Sequence, residues 1–451
     1  MRQAVVVIHG IGEQRPMSTL RKFVAHVVPA SEETRSRIFS KPDRMSESFE
    51  LRRLSVEKSR SRPTTDFYEY YWAHHMEGTK LRHLWPWFRV ILLRSPRKVP
   101  AQLRVVWFLS WALALGALVA FVSSRLAPAD ADASGSWLSL LLVVAFAIVQ
   151  GFAINWLGDA ARYLSPLPSN IAARHTIRSE GIELLRQIHQ SDRYDRVAIV
   201  GHSLGGVIGL DILTFLWSEV NTLHVKPDRV PQPEIQRVDD LGRALSSSSP
   251  EGAIAQFQDA QRALWLEQRQ IGIPWLVTDF VTLGSPLAHA ALLLATDADD
   301  LRTRQDQREL PTCPPVEDKP GRRSERGHYH YVENFALDGQ RRSVRVLHHA
   351  ALFATTRWSN IHVPVRLGLV GDHVGGPLRP AFGPGIRDVP VTDGPLRFVP
   401  LMAHTHYWRG RVRATRAGRT TALGALCEAL DLNSSRWLPP EPVPARDQAA
   451  L

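Results

Sequence analysis

The sequence predicts an α/β fold, a doubly wound and mostly parallel sheet interrupted by an inserted hairpin of two membrane-spanning helices. Three features indicate this. Residues 197–206, VAIVGHSLGG, read as a buried strand, a tight Gly-x-Ser-x-Gly turn and the start of a helix. Residues 3–8 read as a second buried strand that ends in a glycine turn. Two uncharged apolar runs, 105–123 and 137–157, are each long enough to cross about 30 Å of hydrocarbon as a helix.

The chain divides at these runs. Residues 1–100 form the first part of the α/β domain, with a strand at 67–73 and a loop over 30–63. Residues 101–160 form the hairpin, and 161–436 form the rest of the domain. That second part begins with an amphipathic helix at 171–190. It contains strands at 275–283, 361–370 and 396–402, and two lid-like insertions near 221–270 and 297–343. The proline-rich tail, 437–451, is expected to be disordered.

Composition limits the class of protein. The 451 residues are 44% hydrophobic, enough for a substantial core, and carry a formal net charge of +11. The arginines are scattered and no nucleic-acid motif accompanies them, so the charge favours an anionic membrane surface over nucleic acid. Two cysteines, Cys313 and Cys427, give no disulfide framework and suit a reducing compartment. The oligomeric state stays open.

Charge also predicts an orientation in the membrane. Basic residues precede the first span and follow the second: Arg89, Arg94, Arg97, Lys98, Arg104 and Arg162. The short loop between the spans holds Arg125 against Asp130 and Asp132. The positive-inside rule then places the α/β domain in the cytoplasm. The first residues lack the pattern of a secretory signal peptide. We therefore expect an integral protein of the cytoplasmic membrane whose α/β domain faces inward.

Ser203 stands at the centre of the glycine turn, where the next helix begins. A serine on such a turn has an exposed hydroxyl, and the backbone N–H of the following residue, Leu204, can stabilise an oxyanion. The turn after the early strand, His9-Gly10-Ile11-Gly12, could supply a second donor through Ile11 or Gly12. The alternative is an ordinary strand-to-loop turn.

A serine hydroxyl needs an imidazole base, which in turn needs a carboxylate to fix its tautomer. Asp372, in a glycine turn after the apolar residues 365–370, is the favoured acid. His404 is the favoured base and His406 the alternative. We interpret His9 and His202 as structural supports.

The remaining histidine pairs, 74–75 and 348–349, lack the Cys, His or Asp spacing of a metal site. We therefore expect neither metal nor cofactor.

Five stretches carry a family resemblance: HGIGEQ at 9–14, GHSLGG at 201–206, TLGSP at 282–286, GDHVGGPL at 371–378 and HTHYW at 404–408. Together they resemble the α/β-hydrolase superfamily, in the form of a lipase-like serine esterase with an inserted transmembrane hairpin. The resemblance implies hydrolysis of carboxylic esters, of lipids or other acyl groups, through a Ser-His-Asp triad and an acyl-enzyme. HTHYW resembles a lipase-type His-x-x-Tyr-Trp ending, which favours His404.

Other readings stay open at this point. The same triad serves an acyltransferase or a thioesterase. The chain could also be an inactive membrane scaffold that keeps the fold, or a channel subunit, which the uncharged spans disfavour.

Overall fold

The computed structural model describes the chain with gaps. The described residues are 1–10, 15–28, 37–43, 45, 50–59, 62–76, 93, 95–96, 99, 101–126, 141, 144, 163–164, 168–228, 230–318, 327–366, 370–391, 402–405, 407–408 and 421–433. Several predictions therefore fall outside the described residues. They are the second oxyanion donor at Ile11 or Gly12, the alternative base His406, nearly all of 137–157, the strand at 396–402 except its last residue, and the tail at 437–451.

Ten strands lie in the described part of the chain. They are β1 (Arg2–Ile8), β2 (Ile38–Pro42), β3 (Arg52–Val56), β4 (Thr64–Tyr70), β5 (Arg196–His202), β6 (Val277–Leu283), β7 (His330–Leu337), β8 (Gln340–Leu347), β9 (Arg357–His362) and β10 (Arg387–Pro390). Eight of them form one sheet in the order β10-β9-β6-β5-β1-β4-β3-β2. The strands from β10 to β4 are parallel, whereas β3 and β2 add an antiparallel edge. A separate antiparallel hairpin joins β7 to β8.

Helices cover both faces of the sheet. They are α1 (Ser18–Val27), α2 (Ala101–Leu126), α3 (Pro168–Gln190), α4 (Leu204–Val220), α5 (Pro233–Ala244), α6 (Glu251–Gln270), α7 (Ala290–Leu293), α8 (Ala298–Asp306), α9 (Arg379–Phe382) and α10 (Ala422–Leu430). Helices α3, α4, α5 and α6 contribute to one apolar cluster, and α1 and α10 to the other. The prediction of an α/β fold with a mostly parallel sheet is confirmed, and this architecture is compatible with a doubly wound fold.

The central strand β1 shows why its sequence is continuously apolar. Ala4, Val6 and Ile8 enter the cluster on one face, while Val5 and Val7 enter the cluster on the opposite face. Successive side chains of a strand point to opposite faces, so a strand covered by helices on both sides must be apolar at every position. The strand therefore sits at the middle of the core, and its carboxyl end opens toward the glycine turn at Gly10.

Two local predictions were wrong. The segment 30–63 is not all loop, because β2 and β3 extend the sheet at its antiparallel edge. The side chains of β2 are exposed, so this edge strand lacks the apolar pattern that would reveal it. The strand expected at 361–370 begins earlier, as β9 at Arg357, and ends at His362. Its buried positions include polar side chains, which hid its start from an apolar search.

The first predicted membrane span lies within α2, whose side chains are described only in part. Large apolar side chains along α2 are exposed, among them Phe108, Leu109, Leu115, Leu118 and Val119. Across the described residues, no helix combines the length and the apolar character that a membrane crossing requires. The hairpin is therefore not shown and stays a prediction.

The two predicted insertions are built from regular elements. Helices α5 and α6 occupy much of 221–270, and α6 buries Phe257 and Leu264 in the core. The segment 297–343 contains α8, all of β7 and the start of β8. A buried interaction joins the two segments, since the backbone N–H of Tyr329, next to β7, donates to Asp239 of α5.

Candidate active site

The turn between β5 and α4 has the geometry of a nucleophile elbow. Ser203 lies between the two elements with φ 52° and ψ −127°, a conformation that non-glycine residues rarely adopt. The residues two positions before and after Ser203 must be glycine. A Cβ added to Gly201 would lie 2.6 Å from the carbonyl oxygen of Gly205, and one added to Gly205 would lie 2.2 Å from the carbonyl oxygen of Ile8. The glycines of the motif therefore allow α4 to approach the ends of β1 and β5.

The backbone of Ser203 is fixed by a hydrogen bond, but its hydroxyl has no hydrogen-bond partner among the described residues. Ser203 is 1% exposed. The backbone fixes its position, because the N–H of Ser203 donates to the carbonyl of Leu283 at the end of β6, 2.9 Å away. A buried hydroxyl without a partner is unfavourable in a purely structural role. Such a group is instead available to a substrate or to a base.

The predicted acid and base meet in the structure. The Nδ1 atom of His404 lies 3.1 Å from Oδ1 and 3.0 Å from Oδ2 of Asp372, although the two residues are 32 positions apart. Both side chains are buried, at 3% and 0% exposure. This hydrogen bond is the orienting contact that a catalytic imidazole requires.

Asp372 is held as a carboxylate by its surroundings. The hydroxyl of Tyr407 donates to Oδ2 at 2.5 Å, and the N–H of Val374 donates to Oδ1 at 2.9 Å. Burial alone would raise the pKa of this carboxyl. The nearby His404 charge and the hydrogen bonds from His404, Tyr407 and the N–H of Gly375 outweigh burial and lower the pKa to about 2.

The charge of Asp372 determines the tautomer of the imidazole. An ionised carboxylate only accepts hydrogen bonds, so Nδ1 of His404 must carry the proton and donate. The neutral ring then has its lone pair on Nε2. That atom is the one that can remove a proton from a serine hydroxyl.

His202 connects this pair to the elbow. Its Nε2 atom lies 2.9 Å from the carbonyl oxygen of His404, and the two rings lie 5.1 Å apart. Trp408 packs edge-on against the His202 ring at 4.7 Å. Burial is the main cause that lowers the pKa of His202 to about 3, and repulsion from His404 is the second cause. The ring is therefore neutral near pH 7. Its contacts agree with the supporting role predicted for His202.

The Asp372 loop also lies against the end of β6. A Cβ added to Gly284, the residue after β6, would come within 2.7 Å of Oδ2 of Asp372. The preceding residue, Leu283, holds the backbone of Ser203. The edge formed by the carboxyl ends of the parallel strands therefore holds Ser203 and Asp372. His404 joins them there through its hydrogen bond to Asp372.

Of the oxyanion donors, Leu204 is described. It is the first residue of α4, where backbone N–H groups lack partners within the helix. The turn after β1 reaches the same place, because a Cβ on Gly10 would lie 2.8 Å from Cβ of Ser203. His9 is buried and stacks on Trp72 at 5.1 Å, which agrees with a supporting role.

Sequence reasoning missed Tyr407 as a partner of the acid. Its hydroxyl accepts from the N–H of Val363 at 3.2 Å while it donates to Asp372, so one side chain connects two segments. The available signal was the aromatic pair three residues after His404. An unexpected position is that of Asp372 itself. It lies ten residues beyond the end of β9, and its N–H donates to the carbonyl of Val363.

Among the described residues, two groups of side chains could hold a metal ion, and neither includes the predicted triad. One is His74, His75 and Glu180, and the other is Asp239, His328 and His330. The sequence pattern does not reveal the first group because Glu180 comes from α3, far from the histidines along the chain. It does not reveal the second because Asp239 precedes its partners by about ninety residues.

Comparison with known proteins assigns no family to this chain. No protein-family model matches it. No curated protein and no solved structure matches it either.

Proposed function

We propose that this protein is a serine hydrolase that cleaves carboxylic esters, with Ser203 as nucleophile, His404 as base and Asp372 as the orienting acid. The observation that carries the proposal is the buried His404–Asp372 hydrogen bond at the sheet edge where Ser203 occupies a strained elbow. An unpaired serine hydroxyl, an imidazole with a fixed tautomer and an ionised carboxylate are the three parts of a catalytic triad.

The proposed reaction proceeds in two halves. Oγ of Ser203 attacks the ester carbonyl while Nε2 of His404 accepts its proton. The tetrahedral intermediate collapses, the alcohol leaves with that proton, and an acyl group stays on Ser203. Water then attacks the acyl-enzyme with His404 again as base, which releases the acid and restores the serine. The N–H of Leu204 stabilises the oxyanion, and one such donor contributes about 3 kcal/mol. Ile11 or Gly12 is proposed as the second donor.

The proposal extends to a membrane location. The apolar runs 105–123 and 137–157 with their basic flanks support a hairpin anchor. The exposed Phe108, Leu115 and Leu118 of α2 also need an apolar environment. The domain would then face the cytoplasm, close to the lipid surface. Its substrate would be a lipid or another acyl ester.

Covalent labelling tests the nucleophile. A fluorophosphonate probe is expected to label the detergent-solubilised wild-type protein and to leave Ser203→Ala unlabelled, because the phosphorus is attacked by the activated hydroxyl. Ser285→Ala is the matched control. Ser285 is also buried and follows β6 at the same edge, but its hydroxyl accepts a local hydrogen bond from the N–H of Leu287. Full labelling of Ser203→Ala would contradict the assignment of Ser203 as the nucleophile.

The same experiment separates the other readings. A folded wild-type protein that the probe does not label indicates an inactive scaffold. Where labelling occurs, product analysis with added alcohol or amine acceptors distinguishes hydrolysis from acyl transfer, and acyl thioesters test for a thioesterase.

A further inference from the structure

A second cluster of chemically capable side chains lies away from the proposed triad. Asp239 of α5 is 1% exposed, and His328 and His330 lie on either side of Tyr329 at the start of β7. Both histidines present Nδ1 to the same carboxylate oxygen. The distances to Oδ2 of Asp239 are 2.9 Å for His328 and 3.3 Å for His330.

His330 is the informative member of this cluster. Its side chain is 7% exposed, yet its Nδ1 atom forms no hydrogen bond with any described residue. The atom faces Oδ2 of Asp239 at 3.3 Å without the alignment that a shared proton requires. A buried nitrogen held at this distance from a carboxylate oxygen is placed as two ligands of one small cation are placed.

The donor set suits a particular class of ion. Two imidazole nitrogens and one carboxylate oxygen are ligands of Zn²⁺ and similar first-row divalent ions, whereas Mg²⁺ and Ca²⁺ prefer oxygen. Bonds of about 2.0–2.1 Å at tetrahedral angles separate neighbouring ligand atoms by about 3.3 Å. The 3.3 Å between Nδ1 of His330 and Oδ2 of Asp239 matches that spacing, whereas the 2.9 Å contact of His328 is a direct hydrogen bond that the ion would replace. The side chain of His328 is 39% exposed, which leaves a solvent side for a water ligand.

We propose that Asp239, His328 and His330 bind one Zn²⁺-class divalent ion. The ion would join α5 to β7 and so tie together the two segments that the sequence predicts as insertions. The site is independent of the proposed hydrolase activity. Arg243, Asp240 and Glu317 lie nearby, but the arginine is engaged by both carboxylates. Oδ1 of Asp239 accepts from the N–H of Tyr329, so Oδ2 is the oxygen that faces the histidines and would bind the ion.

The other candidate group differs in the features that matter. Glu180 is exposed, and Nε2 of His75 already pairs with its carboxylate at 2.7 Å. The ring of His74 stacks on Tyr71 at 5.5 Å. No buried, unbonded ligand atom is recorded at this group in the described part of the chain. It serves as the internal control.

Metal binding is measured on the full-length protein, free of any affinity tag and stripped with a chelator. Titration with Co²⁺ is expected to give a visible absorption band that saturates at one equivalent and is displaced by Zn²⁺. His330→Gln and His328→Gln are expected to lose the band, while His75→Gln keeps it. Far-ultraviolet circular dichroism checks that each variant is folded. His328→Gln is the safer substitution because that side chain is partly exposed.

Three results would overturn the proposal. They are a wild-type protein that binds no Co²⁺, a His328→Gln protein that binds as the wild type does, and loss of binding in His75→Gln. If the wild-type protein binds no Co²⁺, the cluster has only a structural role, as a set of hydrogen bonds between α5 and β7. His328→Gln would then change the thermal midpoint of unfolding but no metal property. The ester-cleaving activity of Ser203 is predicted with or without the ion, so failure of one proposal leaves the other standing.

Discussion

Asp372→Asn is expected to lower the rate of ester hydrolysis by about 10⁴-fold, because an amide no longer forces Nδ1 of His404 to carry the proton. The asparagine amide can donate to Nδ1, which shifts the imidazole proton to Nε2 and removes the base that Ser203 needs. The imidazolium formed during attack also loses its counter-charge. Initial rates with a p-nitrophenyl ester measure the change in kcat/KM.

Asp388→Asn is the matched control for this substitution. Asp388 also accepts backbone hydrogen bonds, from the N–H groups of Leu378 and Arg379, but it contacts no residue of the triad. The control is expected to lower the free energy of unfolding by about 1–3 kcal/mol and to leave the rate unchanged. Equal rates for Asp372→Asn and wild type would contradict the assignment of the acid.

The base is tested beside the acid. His404→Ala is expected to abolish turnover, while His406→Ala retains it, since the structure pairs His404 with Asp372. The reverse result would make His406 the base.

The second large effect is a loss of stability in acid. Burial is the main reason that the pKa of His9 and of His348 falls to about 4, from an ordinary value of 6.5. The unfolded chain therefore binds protons at higher pH than the folded chain does. The stabilisation is fully present above pH 6.5 and is lost as the pH falls toward 4. A shift of this size corresponds to about 3 kcal/mol per histidine as an upper bound, a large share of the stability of a typical domain.

His348 shows the atomic reason. Its Nε2 donates to the carbonyl of Val316 at 2.9 Å, and its Nδ1 accepts from the N–H of Ala350 at 3.1 Å. Protonation converts the acceptor into a donor that faces another donor. Two buried carboxyls act in the opposite direction, because burial raises the pKa of Glu69 and Glu267 to about 7. Between pH 4.5 and 7 these carboxyls are ionised in the unfolded chain but remain protonated in the folded chain. Stability from them is therefore gained as the pH falls, which offsets part of the histidine effect.

Urea unfolding at pH 7.5 and pH 5 measures how much the buried histidines change the free energy of unfolding between the two pH values. His348→Gln is expected to be less stable than wild type at pH 7.5 by about 1–3 kcal/mol and to lose less stability on acidification. The adjacent His349 is exposed, so His349→Gln is expected to behave as wild type at both pH values. An unchanged pH dependence in His348→Gln would show that this ring is not what titrates.

The parts of the fold that sequence reasoning found are those whose pattern is local. β1 and β5 are continuous apolar runs because helices cover both of their faces, and the elbow is a short motif with a steric requirement at Gly201 and Gly205. The edge strand β2 was missed because its side chains are exposed and carry no such pattern. The strand β2 is therefore invisible to a search for buried strands, and β3 buries only its last three residues.

The candidate site also contains residues that the sequence predicts and residues that only the folded structure reveals. The residue types of the proposed triad follow from chemistry and order along the chain, so the sequence predicts Ser203 and Asp372, while the resemblance to a lipase-type ending favours His404 over His406. The support of Asp372 by the hydroxyl of Tyr407 could not be predicted, since the aromatic pair after His404 does not show which group that hydroxyl contacts. The Asp239–His328–His330 cluster could not either, because only the folded chain brings α5 to β7.

The central claim is that Ser203 carries the acyl group between the two halves of the reaction. Rapid acid quenching of the protein during turnover of a p-nitrophenyl ester, followed by peptide mass mapping, tests it most directly. A mass increase equal to the acyl group is expected on the peptide that contains Ser203, and none is expected in Ser203→Ala. An acyl group on another residue, or steady turnover with no acylated protein, would contradict it.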